Sequence, residues 1–115
     1  MKRTGYVIEK MENAFGGSGT LVLKHWLAKE ELIPNLKMLS TAVLPVGGSA
    51  GGHFHHGEAE VYFITKGNGY YLDSGKKLEI KENDVLVCYD GESHEIVNTG
   101  DTELEFIAII VKGNQ

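Results

Sequence analysis

The run Gly47-Gly48-Ser49-Ala50-Gly51-Gly52-His53-Phe54-His55-His56-Gly57-Glu58-Ala59-Glu60-Val61-Tyr62-Phe63-Ile64-Thr65-Lys66-Gly67 decides how the rest of the chain is read. Residues two apart diverge on a helix and share a face on a strand, so on a strand His53 and His55 aim one way and Phe54 the other. On the following strand Glu60, Tyr62 and Ile64 share one face, and Val61, Phe63 and Thr65 share the opposite one. Large apolar groups on both faces require a barrel or sandwich whose outer side is covered by a neighbouring sheet or a second subunit.

Outward from this run, short apolar stretches alternate with turn signals at Gly67-Asn68-Gly69, Ser74-Gly75, Asn83-Asp84, Asp90-Gly91 and Thr99-Gly100-Asp101. That spacing predicts an all-β domain. The expected strands are Lys37–Leu44, Phe54–His56, Glu60–Lys66, Tyr70–Asp73, Leu78–Ile80, Val85–Cys88, His94–Asn98 and Leu104–Val111. Asn68-Gly69 is expected to close a tight hairpin, because glycine accepts positive φ. Before Lys37, Tyr6–Lys10 and Leu21–Trp26 read as strands, and Ala28–Ile33 as one helical turn stopped by Pro34. No chemistry is assigned to this N-terminal part.

The whole chain, 115 residues with 15 glycines and 2 prolines, fits one domain with many turns. Eleven basic against sixteen acidic residues leave a formal charge of −5, with Arg3 the only arginine. Nucleic acid and anionic membranes are therefore not expected partners. Cys88 is the single cysteine, which excludes an internal disulfide and a cysteine-based zinc site and fits a cytoplasmic protein. It lies in an apolar run and reads as a core residue. No apolar run is long enough for a signal sequence or a membrane span. The glycine-rich Phe15–Thr20 segment lacks the Gly-Lys-Ser/Thr ending of a phosphate loop, and no serine stands in a nucleophile elbow.

What remains is a cluster of metal-binding residue types. His53 and His55 converge, Glu60 opens the next strand across a short turn, and His94 is the natural fourth member, with Ile96 and Asn98 on its face. Imidazole and carboxylate together suit a divalent transition metal. His56 has the opposite strand parity and reads as exposed. Glu58, after Gly57, reads as a solvated turn residue, Tyr62 as a barrel-filling aromatic on the site's face, and His25 as structural.

The spacing Gly47-x5-His53-x-His55-x4-Glu60-x6-Gly67 resembles the first cupin motif, with each anchor present. The stretch Asn83-x5-Tyr89-x-Gly91-x2-His94-x3-Asn98 resembles the second, with asparagine in place of its first glycine and tyrosine in place of its proline. The resemblance implies a double-stranded β-helix, or jelly-roll, barrel in which His53, His55, Glu60 and His94 ligate one divalent transition-metal ion per chain. Manganese or iron stand first, with nickel and zinc open. It also implies one cupin domain over residues 1–115, the barrel at 37–112 and N-terminal strands and loop at 1–36 lying at a homodimer interface.

The expected function is a metal-dependent enzyme acting on a small chelating organic molecule, of dioxygenase, decarboxylase or isomerase type. The alternative is a barrel that binds or senses such a ligand without turnover. Carboxylate substrates are commonly clamped by a bidentate arginine, so a chain whose only arginine is Arg3 is poorly equipped as an oxalate decarboxylase or a sugar-phosphate isomerase.

Overall fold

Period-two alternation gives the strands around the core one buried face. Glu60, Tyr62 and Ile64 are all buried, as are His94, Ile96 and Asn98, and Leu104, Phe106 and Ala108. Each fully buried aliphatic among these contributes about 1.5–3 kcal/mol relative to its exposed state. The computed structural model describes residues 1–113 and contains ten strands. These are β1 (Val7–Glu12), β2 (Thr20–His25), β3 (Leu36–Leu44), β4 (Ser49–Phe54) and β5 (Glu58–Lys66), followed by β6 (Gly69–Asp73), β7 (Lys76–Ile80), β8 (Val85–Cys88), β9 (Ser93–Asn98) and β10 (Leu104–Lys112).

They form two antiparallel sheets in the orders β1-β2-β3-β10-β5-β8 and β4-β9-β6-β7. From β3 onward this is an all-β jelly roll: the chain changes sheet at almost every connection, and the two inner faces enclose the core. Strands β1 and β2 extend the first sheet, β2 pairing with β3 of the same chain through Val22–Val43 to His25–Ser40. Among the described residues the helical pieces are two 3-10 turns, Ala14–Gly16 and Lys29–Glu31. The second of these is the turn expected before Pro34. Among the described residues no helix is long and apolar enough to cross a membrane.

Two local expectations are corrected. Asn68-Gly69 is not a hairpin, because β5 and β6 belong to different sheets. Gly69 is required there for another reason: a Cβ on it would lie 2.0 Å from the Val97 carbonyl oxygen of β9. The tight hairpin is instead Ser74-Gly75 between β6 and β7, where both residues have positive φ and Asp73 faces Lys76. The strand expected at Phe54–His56 runs earlier, over Ser49–Phe54, and so includes Gly51 and Gly52. Glycine has poor strand propensity, but a Cβ on Gly51 would meet the Phe15 carbonyl at 2.1 Å, so this strand is glycine-rich to admit the first 3-10 turn.

Both departures from the second motif have local solutions. Asn83 adopts φ +74, a left-handed conformation that asparagine tolerates better than most residues. Tyr89 stands where a proline would lack an N–H, and its N–H donates to the Glu92 carboxylate at 2.8 Å while Glu92 N–H donates back to the Tyr89 carbonyl at 3.0 Å. Hydrogen bonds thus shape the turn before His94.

Candidate metal centre

His53, next to last in β4, lies opposite His94 of β9, with which it is directly paired in register. His55 follows one residue past the strand, its backbone held to the β8–β9 loop: its N–H donates to the Glu92 carbonyl at 3.2 Å, and its carbonyl accepts from Gly91 N–H at 2.8 Å. Glu60 reaches in from β5. The four side chains expected from the sequence therefore meet, and one ligand atom from each lies within 4.8 Å of all the others. His55, Glu60 and His94 are buried and His53 is half-buried at the mouth.

The imidazoles present Nε2 to one another. His94 Nε2 is 3.0 Å from His55 Nε2 and 3.2 Å from His53 Nε2. Glu60 Oε1 lies 2.9 Å from His55 Nε2 and 3.2 Å from His94 Nε2. The far sides of the rings fix the tautomers. His53 Nδ1 meets the Gly51 carbonyl at 3.1 Å and His55 Nδ1 meets the Glu58 carboxylate at 2.6 Å. Both partners only accept, so each Nδ1 carries the proton; His53 Nε2 is then left a lone pair in the neutral ring, whereas His55 Nε2 faces the Glu60 carboxylate and offers its lone pair when a cation takes the place of its proton. His94 Nδ1 meets the Tyr71 hydroxyl at 3.0 Å, a partner that serves either tautomer. Three inward Nε2 atoms beside a carboxylate are the donor set of a site for one cation.

Burial, opposed by a hydrogen bond to the Gly51 carbonyl, holds His53 below the ordinary imidazole range. Hydrogen bonding to Glu60 raises His55, against burial and with help from Glu58. For Glu60 burial pushes upward, and the imidazoles of His55 and His94 outweigh it, leaving the carboxyl below its usual range. Both Glu60 and His55 thus favour charge in this pocket.

Three residues escaped the sequence reading. Glu58 is not a solvated turn residue but lies in β5, half-buried, bridging His55 to Lys37, whose Nζ donates to it at 2.6 Å. Its signal was available, because positions 58 and 60 share strand parity. Tyr71 holds His94, while Tyr62, the residue suggested by face, stacks on the His94 ring at 5.1 Å between centroids. Phe15, in the segment given no chemistry, stacks on His53 at 3.9 Å and 17°. Leu21 and Leu23 of β2 join it in lining a cavity of about 300 Å³ that opens on His53, His55 and Glu60.

The remaining singled-out residues behave as read. His56 is exposed. Cys88 is buried, and burial pushes its thiol up to about 12. His25 is hydrogen-bonded between Ser40 and Glu9. Arg3 forms a bidentate pair with Glu31, both contacts at 2.7 Å, and does not line the cavity.

Comparison with known proteins places this geometry. The model of the cupin domain matches residues 40–110. An oxalate-binding protein of Thermotoga maritima is 43% identical over 103 residues, covering 90% of this chain and 85% of that protein. The crystal structure of a predicted oxalate decarboxylase from Thermotoga maritima superposes with a TM-score of 0.88 at 41% identity over 93% of both chains. A cupin 2 conserved barrel domain protein from Salinispora arenicola shares the fold, with a TM-score of 0.70 at 23% identity over 80% of this chain and 76% of that one.

Proposed function

This chain belongs to the cupin family, and from that membership we propose that it holds one divalent transition-metal ion on His53, His55, Glu60 and His94 and acts on a small organic molecule that chelates the ion. The observation that carries the reading is the convergence of three Nε2 atoms and Glu60 Oε1, with two of the rings anchored at Nδ1 by acceptor-only partners. Contacts of 2.9–3.2 Å among these atoms bring the donors close enough to share one ion. Manganese or iron come first as that ion, with nickel or zinc as the alternatives. The bound ion supplies Lewis acidity, or redox capacity, toward a carboxylate or enediol.

The chain's own residues do the rest. Gly51, Glu58 and Tyr71 aim the three rings, Tyr62 walls the interior side of His94, and Phe15 limits water at the mouth by covering His53. Glu58→Gln keeps the shape but removes the charge that raises the basicity of His55. We expect metal affinity to fall about tenfold to a hundredfold. Competition against a chelating dye measures it, and unchanged affinity removes Glu58 from the site's support.

Reaction types under this reading are dioxygenase, decarboxylase or isomerase. Oxygen uptake and CO₂ release by metal-loaded protein, screened over keto, dicarboxylic and dihydroxy acids, test for turnover. A second reading, ligand binding or sensing without turnover, is favoured by one observation. The titratable side chains that line the cavity beside the cluster already have partners: Lys37 with Glu58, Glu58 with His55, His53 with Gly51, and Glu60 with His55 and His94. None is a free acid or base. Tight binding with no product over hours selects this reading.

The homodimer is part of the same proposal. Strand β1 lies at a sheet edge and exposes Val7 and Ile8, with Tyr6 and Ile33 also exposed in the 1–36 segment. An uncovered apolar edge of this kind suits a second copy. Light scattering should give twice the chain mass at micromolar concentration, and a monomer mass refutes it.

A further inference from the structure

We infer that the cavity beside the four-ligand cluster takes a monoanionic 2-oxo or 2-hydroxy acid with an apolar side chain, in preference to a small dianion such as oxalate. The inference rests on the metal-binding reading above and adds the class of ligand. Two independent observations carry it.

The first is the shape and lining of the cavity. At about 300 Å³ it has room for about ten water-sized volumes, far more than a two-carbon diacid fills. Its polar lining is His53, His55, Glu60, Glu58 and Lys37. Much of the remaining lining is apolar, including Leu21, Leu23, Met38, Phe106 and Ile110, with Ile110 paired directly beside Glu60. A ligand that meets the cluster and fills the rest of this space has a chelating head and a hydrocarbon tail.

The second is charge. A divalent ion with three neutral imidazoles and the Glu60 carboxylate carries a net single positive charge. Lys37 and Glu58 cancel, their atoms 2.6 Å apart. One carboxylate on the ligand closes this balance, whereas two leave the pocket with a net negative charge. The only arginine that could neutralise it, Arg3, is engaged by Glu31 and does not line this cavity. An oxygen on the carbon next to the carboxylate completes the chelate, and the side chain beyond it meets the apolar lining.

The test uses the full chain loaded with manganese, titrated calorimetrically with oxalate, pyruvate, 2-oxobutanoate, 2-oxopentanoate and 4-methyl-2-oxopentanoate. Affinity should rise about fourfold per added methylene. The longest acid should bind more than tenfold tighter than oxalate, and binding should vanish in metal-free protein. Oxalate equalling the longest acid, or a series flat with chain length, overturns this inference while leaving the metal site intact. Manganese titration without any organic ligand is run first: no stoichiometric site there overturns the underlying reading and this inference with it.

Discussion

His94→Ala should purify as a folded barrel that has lost its metal. Where the unaltered protein carries about one transition-metal ion per chain, the variant should carry almost none, with affinity lower by a factor of about a hundred to a thousand. The magnitude follows from dividing a four-donor binding free energy of roughly 10–16 kcal/mol among its donors, so that one is worth about 2.5–4 kcal/mol. His94 is the member with most to lose. Its Nε2 contacts those of both other histidines and Glu60 Oε1, so its removal leaves His53 only an edge-on ring contact to His55. The barrel itself survives at some cost, since the Tyr71 hydroxyl loses a buried partner worth about 1–2 kcal/mol. His56→Ala is the control, because His56 is exposed on the opposite strand parity. Elemental analysis of both variants decides the matter: unchanged metal in His94→Ala, or equal loss in His56→Ala, removes the ligand assignment.

The cluster was legible because its geometry is mostly local. Two histidines at strand spacing, a glutamate one short turn later and a histidine on a strand whose alternation is clear need only the period of two to place them on inner faces. What escaped depends on contacts between distant segments. Phe15 stacks on His53 because the first 3-10 turn packs on the glycines of β4, and no pattern near position 15 announces that. Leu21 and Leu23 reach the cavity only because β2 extends the sheet beyond β3. The misplaced hairpin has the converse cause. Asn-Gly is a sound local signal, but here the jelly-roll path carries the chain from one sheet to the other at that point, and Gly69 is needed for its closeness to Val97 rather than for its φ. Glu58 is different again. Its parity was readable, and only the expectation that a residue after a turn glycine is solvated obscured it.

Asn98 shows how the second motif supports the site without touching it. It lies on the same inward face of β9 as His94, four residues on, and is 1% exposed. Its Nδ2 shares two N–H groups among the carbonyls of Leu44 at 3.1 Å, Pro45 at 3.0 Å and Thr102 at 3.0 Å, and its Oδ1 accepts from Gly100 N–H at 3.0 Å. One side chain thereby ties the end of β3 to the β9–β10 turn. Asn98→Ala removes this buried network and should cost about 3 kcal/mol, lowering the melting temperature on the order of 10 °C. Asn98→Asp is the sharper test, since it keeps the size and the acceptor for Gly100 but replaces the donor with a charge facing three carbonyl oxygens. It should be at least as destabilising as alanine. Calorimetry that puts Asn98→Asp within about 0.5 kcal/mol of the unaltered protein would mean that filling space, not donating hydrogen bonds, is what position 98 does. Because none of these bonds reaches the ligands, added metal should raise the melting temperatures of both variants and of the parent by similar amounts.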